Sequence, residues 1–196
     1  VVRQQCEQNV REYYKKSVLL RNDDHFEIQF KEIFDHMAAL YGLDDMQKDQ
    51  LMQWEIEGEL EAVIPLVPQI SLLKKYIAEG NDIVLISDMY LPKEVIVKLL
   101  QKADPLLATL PLYVSSEVGH QKTTRKLFLH VYSDLDYCYE KWIHIGDNRF
   151  ADQVQPEMLG IQTAPIPVPE WTPYEKRLAD YSSHYEFRCV AKQIQS

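Results

Sequence analysis

The stretch Ile83-Val84-Leu85-Ile86-Ser87-Asp88-Met89-Tyr90-Leu91-Pro92 decides the fold. Four apolar residues run without a polar break, as in a short strand buried on both faces. A hydroxyl and a carboxylate, Ser87 and Asp88, follow at once, and Pro92 suits the first turn of a helix through about Lys102. Just upstream, Ile70 to Ala78 has the spacing of a short amphipathic helix ended by Gly80-Asn81. Downstream the alternation continues. Leu112-Tyr113-Val114-Ser115 reads as a second strand, Thr123 to Tyr132 as a helix and Trp142-Ile143-His144-Ile145 as a third strand. A helix around Ala151 to Leu159 ends at Gly160, and Thr163-Ala164-Pro165-Ile166 reads as a last strand at a sheet edge, where proline is tolerated. Strands separated by helical stretches of this length predict an α/β fold, a doubly wound parallel sheet of Rossmann-like type.

Residues 1 to about 63 carry helical periodicity only. The clearest stripe is Phe30, Ile33, Phe34, Met37 and Tyr41, with Lys31, Glu32 and Asp35 on the other face and Gly42 as a left-handed stop. A second stripe, Met52, Ile56, Leu60 and Val63, follows Asp44-Asp45, either of which is a suitable N-cap. Pro65 and Pro68 then interrupt the pattern. Past the last strand, Pro165, Pro167, Pro169 and Pro173 predict an extended segment, followed by a polar amphipathic helix near 173–193. Three units result: a helical segment over 1–63, an α/β core over 64–168 and a C-terminal appendage over 169–196.

Composition narrows the function. The chain has 196 residues, 46% of them apolar, enough for a real core. Its 21 Lys and Arg against 30 Asp and Glu give a net charge of −9, which argues against general nucleic-acid binding and against a polybasic membrane contact. No apolar run approaches the ~20 residues of a spanning helix. The first residues, Val1-Val2-Arg3-Gln4-Gln5, lead into no apolar core of a signal peptide. Three cysteines, Cys6, Cys138 and Cys189, are odd in number, far apart and without a C-x-x-C, which predicts neither a disulfide framework nor a zinc knuckle and points to the reducing cytoplasm.

In an open parallel sheet, ligands sit outside the carboxyl ends of the strands. Ser87 to Pro92 follow the first strand, Ser115 to Thr123 the second, and Gly146-Asp147-Asn148-Arg149-Phe150-Ala151-Asp152 the third. A hydroxyl, a lysine and two acids so placed match the needs of phosphoryl transfer: donors for phosphoryl oxygens, a cation to neutralise them, and carboxylates for Mg²⁺.

These three segments resemble motifs II, III and IV of the haloacid dehalogenase superfamily: an apolar strand ending in Ser87, Gly-x-x-Lys at Gly119 and Lys122, and Gly-Asp-x4-Asp at Asp147 and Asp152. The wording ISDMYLP, YVSSEVGHQKT and HIGDNRFAD is similar to a bacterial branch often encoded with, or fused to, glycosyltransferases of surface-polysaccharide synthesis. The resemblance covers about residues 55–165. It implies that the helices of 1–63 are the cap inserted after motif I. It implies that Ser87 binds the transferring phosphoryl group and that Lys122 balances its charge. It implies that Asp147 is a ligand of Mg²⁺, and that Asp152 positions the metal shell or Lys122. Asp88 and Asn148 are neighbours of less defined role. The implied reaction is hydrolysis of a small phosphorylated metabolite through an aspartyl-phosphate, with a glycosyltransferase as a possible partner or fused domain.

The family's first motif, an apolar strand ending in Asp-x-Asp, is absent. In Val18-Leu19-Leu20-Arg21-Asn22-Asp23-Asp24 the apolar run is too short and the acids are adjacent. Asp134-Leu135-Asp136-Tyr137 has the spacing but follows a helix, and both stretches read as solvated turns. In this family the motif I strand lies between the motif II and motif IV strands, so a gap is expected at the centre of the sheet. Unpaired backbone groups along such a gap cost ~1–3 kcal/mol each, a large sum against the ~5–15 kcal/mol of a domain. The favoured expectation is that the strand precedes Val1, a non-Met start, and that this chain by itself is inactive; the alternative is that another segment or another chain fills the gap, or that the sheet order differs.

Plainer readings stand beside these. Ser87-Asp88 is also a suitable turn or helix cap, Lys122 alone a surface charge, and Asp147 alone an N-cap. His120 and His144 have no ligand spacing and read as packing or surface histidines, and Cys138 reads as packing. Tyr13-Tyr14 and Trp54 read as packing within the helical segment. A function of a different class is a non-catalytic module that scaffolds a polysaccharide-assembly complex, which would have no need of Ser87, Lys122, Asp147 and Asp152 together. A receiver-like or flavodoxin-like domain is a third reading, weakened because a receiver's acids sit after its first strand and no such strand is seen.

Overall fold

The computed structural model of the chain describes residues 2–21, 27–136 and 138–166. The expected extended stretch beyond Ile166, the helix over 173–193, and Asn22, Asp23 and Asp24 lie outside the described residues.

Three helices come first, α1 (Val2–Arg21), α2 (Phe30–Tyr41) and α3 (Asp45–Ala62). Phe30, Ile33, Phe34 and Met37 of the α2 stripe are buried, and Gly42, at φ 67°, closes the helix with its N–H on Ala38 O. Asp44 is the cap of α3: its side chain accepts from Gln47 N at 2.8 Å, and Gln47 reaches back to Asp44 N at 3.1 Å. The α3 stripe is only half-buried, and Trp54, expected to pack, is 59% exposed. Helix α4 (Val67–Ala78) starts earlier than the sequence suggests. Pro68 sits in its first turn, where a missing N–H costs nothing, and so opens the helix instead of breaking it. None of its residues is buried.

The α/β alternation then appears as expected. Strand β1 (Leu85–Ser87) is followed by α5 (Lys93–Ala103), with Pro92 immediately before it, and by β2 (Leu112–Val114). A single turn α6 (Ser115–Val118) ends at Gly119, φ 77°, and a tight turn over Lys122–Thr124 leads into α7 (Lys126–Asp134). Strand β3 (Ile143–Gly146), a wide π-type turn over Arg149–Val154, the short α8 (Gln155–Glu157) and β4 (Gln162–Pro165) complete the described chain.

All pairing is parallel. β1 pairs with β2, Leu85 opposite Leu112 and Ser87 opposite Val114, and β3 pairs with β4, Ile143 opposite Gln162 and Gly146 opposite Pro165. The fold is therefore mixed α/β with short parallel strands, but one continuous doubly wound sheet does not form among the described residues. Among the described residues there are two separate two-stranded sheets, and neither β1 nor β3 has a ladder partner on its other edge. This corrects the expected burial of Ile83–Ile86, which are all half-buried. A strand with one neighbour, preceded by a helix that buries none of its residues, stays partly in contact with water. Cys138 is likewise exposed and does not pack.

The main core joins the helical segment to the first sheet. Cys6 and Val10 of α1, Phe30, Ile33, Phe34 and Met37 of α2, Val95 and Ile96 of α5, Leu112 and Val114 of β2, and the loop residues Ile28 and Leu91 form one cluster, whereas Tyr41 at the end of the α2 stripe is exposed. This shared core, rather than a linker, carries the helices and seats residues 27–29 against the ends of β1 and β2. On the other sheet, Phe128 of α7 meets Trp142 and His144 edge-on, at 6.2 and 4.9 Å between ring centroids.

Candidate functional site

Asp152 is the centre of the candidate site. It is 3% exposed, on the wide turn after β3, and three groups converge on it. Lys122 Nζ donates to Oδ1 at 2.6 Å, His144 Nε2 lies 2.9 Å from the same oxygen, and Asn148 N donates to Oδ2 at 3.1 Å. Burial alone would raise this carboxyl, but the His144 and Lys122 hydrogen bonds, the lysine's charge and the Asn148 amide outweigh it and hold Asp152 well below the usual carboxylate range. Local sequence arranges this. Asn148 Oδ1 accepts from Phe150 N and Ala151 N, both at 3.0 Å, and so shapes the turn. Gly146 lets the carboxylate lie against β3, since a β-carbon there would be 2.4 Å from Asp152 Cγ.

Lys122 spans two loops. Its backbone N–H donates to both Asp88 oxygens, at 2.9 and 3.1 Å, while its ammonium reaches Asp152. Asp88 directly follows β1, so the carboxyl ends of β1 and β3 converge on one lysine. Burial raises the Asp88 carboxyl above its ordinary value, and the nearby Glu27 and Asp152 charges push the same way against the relief that Lys122 provides. An ammonium has three donors. Asp152 takes one, and no other acceptor contacts Nζ among the described residues.

The other expected residues sit nearby in sequence but are less engaged. Ser87 is the half-buried last residue of β1. Asp147, directly after β3, is exposed and makes no hydrogen bond or ion pair among the described residues. Asp152 has no such freedom. Its oxygens are committed to Lys122, His144 and Asn148, so it suits the positioning of Lys122 better than direct metal ligation. Asp147 alone fits as a carboxylate donor to Mg²⁺, which commonly takes one or two protein carboxylates beside waters and phosphate oxygens. Among the described residues no group of three His, Cys, Asp or Glu is disposed to hold a metal.

Four contributors escape a linear reading: Glu27, Ser115, Gln121 and His144. Glu27 accepts from Ser115 Oγ at 2.9 Å and Gln121 Nε2 at 3.0 Å, and Ser115 Oγ accepts from Met89 N at 2.9 Å. The one sequence signal for Glu27 is an acid set between two apolar residues, Phe26 and Ile28. His144, for which the sequence leaves packing and surface readings open, is buried and is also a partner of Asp152. No known family's sequence profile matches the chain, and no curated protein does so either.

Proposed function

We propose that the chain belongs to a Mg²⁺-dependent phosphohydrolase of haloacid dehalogenase type, acting on a small phosphorylated metabolite. The observation that carries this reading is the Asp88–Lys122–Asp152 bridge between the ends of β1 and β3, with Ser87 and Asp147 on the same strand ends. It supplies a fixed cation with donors to spare, a strand-end hydroxyl and an uncommitted carboxylate, the set a phosphoryl group requires.

Two parallel pairs whose strand ends share one lysine support a doubly wound sheet ordered β2-β1-x-β3-β4, with x a further strand. Seating it would take two inter-strand steps of roughly 4.8 Å and would give β1 and β3 the ladder partners they lack. The nucleophile and general acid of the reaction belong on such a strand, as an Asp-x-Asp pair at its end, which none of the described strands carries. Ser87 would hold a phosphoryl oxygen, Lys122 would neutralise the phosphoryl charge and that of the nucleophile, and Asp152 with His144 would keep Lys122 extended. Asp147 would hold Mg²⁺, which when bound supplies charge neutralisation at the phosphoryl oxygens. The helices α1 to α3 would serve as the cap.

The test is Mg²⁺-dependent phosphate release by the complete gene product from a panel of sugar phosphates and other phosphomonoesters. Lys122→Met and Asp147→Asn should each lower kcat/KM by about 100-fold or more, the usual cost of removing one preorganised electrostatic group. Turnover unchanged by Asp147→Asn would refute the metal role. A complete gene product with no hydrolase activity would favour a scaffold function in a polysaccharide-assembly complex.

A further inference from the structure

Glu27 is 2% exposed, yet it carries a carboxylate. Burying one is costly unless the protein replaces the lost water, and here it does so in full. Oε2 takes Ser115 Oγ and Gln121 Nε2, while Oε1 takes Arg11 Nη1 at 3.0 Å and the Ile28 amide at 3.1 Å. The partners stand one residue from the candidate site on both sides. Met89, whose amide donates to Ser115 Oγ, follows Asp88, and Gln121 precedes Lys122. One carboxylate from the helical segment thus braces the loops after β1 and β2.

Behind Glu27 runs a chain of charges. Arg11 Nε bonds Glu7 at 2.9 Å, Arg3 bonds Glu7 at 2.5 Å, and Arg3 grips Glu55 of α3 with two nitrogens, at 2.7 and 2.5 Å. The Arg3 guanidinium also lies 4.8 Å from the ring centre of Tyr90, on the loop after β1. The ion pairs of this chain are partly sheltered, so removing one partner leaves the other charge short of water and costs more than at the surface.

We infer that Glu27 is a positioning residue: it fixes Met89 and Gln121, hence Asp88 and Lys122, and through Arg11 it makes the geometry of the site depend on how α1 is seated. Its relevance to turnover rests on the phosphohydrolase reading, whereas its hold on the two loops does not.

Amide hydrogen exchange on the whole chain tests it without any substrate. Glu27→Ala should speed exchange at the Met89 and Lys122 amides about 10-fold or more and leave Ile145, in the other sheet, unchanged. Arg11→Met should act on the same two amides more weakly. Val131→Ala, a core truncation in α7, is the control for general loss of stability and should not single out those amides. Should Glu27→Ala fail to fold, Glu27→Gln keeps the shape and removes the charge. It should also move the Met89 and Lys122 amide resonances in a ¹⁵N–¹H spectrum, because a neutral amide is a weaker acceptor for Ser115 and Gln121 than a carboxylate. A loss of overall stability alone would leave those resonances in place. Exchange at Met89 and Lys122 that matches the Val131→Ala control, or amide resonances that stay in place, would overturn the inference even in an active enzyme. Selective exchange in a protein without hydrolase activity would uphold it and count against the chemistry.

Discussion

Gly146 has room for a hydrogen and nothing larger, because Asp152 Cγ would lie 2.4 Å from an added β-carbon. Gly146→Ala should therefore displace the Asp152 carboxylate and cost about 1–3 kcal/mol, as overpacking does, measurable by urea unfolding. Asp152→Ala should cost about 3–5 kcal/mol, since it leaves Lys122 sheltered without its partner. The two carboxyls of the bridge respond to pH with opposite sign. Asp152 is depressed in the folded state, so it contributes stability above the ordinary carboxylate value that is lost as pH falls through its lower folded value. Asp88 is raised, so its contribution is full below the ordinary value and is lost as pH rises through the higher folded one. Asp152→Asn should accordingly flatten the acid side of the stability–pH curve. Asp88→Asn should be neutral or stabilising by about 1 kcal/mol at pH 7, although it weakens the site. At this scale Lys122 and Asp152 were legible from motif spacing. Glu27 was not, because its partners Ser115 and Gln121 stand 88 and 94 positions away and only tertiary packing joins them.

The elements followed local rules closely where those rules concern caps and stripes. Gly42 stops α2 and Asp44 caps α3 because each supplies a geometry or an acceptor that depends on few neighbours. Burial was less legible: the spacing of the α3 stripe predicts a buried face, but how deeply it is covered depends on what packs against it. The spacing predicts an ordinary helix around Ala151 to Leu159, whereas a wide turn over Arg149–Val154 takes up its start, since periodicity does not register one extra residue per turn. Arg125 introduces a different conflict. It sits between the Lys122 turn and α7 at φ 66°, a left-handed conformation that suits glycine, while its guanidinium holds Gln155 Oε1 at 3.2 Å. Arg125→Gly should relieve about 1 kcal/mol of backbone strain and lose one hydrogen bond of similar worth. The net change in Tm should therefore be small, and Arg125→Ala, which keeps the strain and loses the bond, should be the less stable of the two.

For the whole molecule, the shared core is the governing feature. The α2 stripe packs with α5 and β2, so the helices and the first sheet should unfold together. Phe34→Ala should cost about 3–5 kcal/mol, and fluorescence and far-UV circular dichroism should report one coincident transition. An early, separate loss of helix would contradict this. The α/β class and the order of its elements were legible because strand and helix periods differ. The division into two sheets follows from pairing between distant segments, which no local period encodes. That division also has a cost. The flanks of β1 and β3 that no described residue pairs are adhesive seams, and Ile143 and Ile145 beside them are 48% and 37% exposed. Such seams can recruit backbone from other copies, so solutions should cloud as concentration rises, and Ile145→Lys should keep them clear in light scattering.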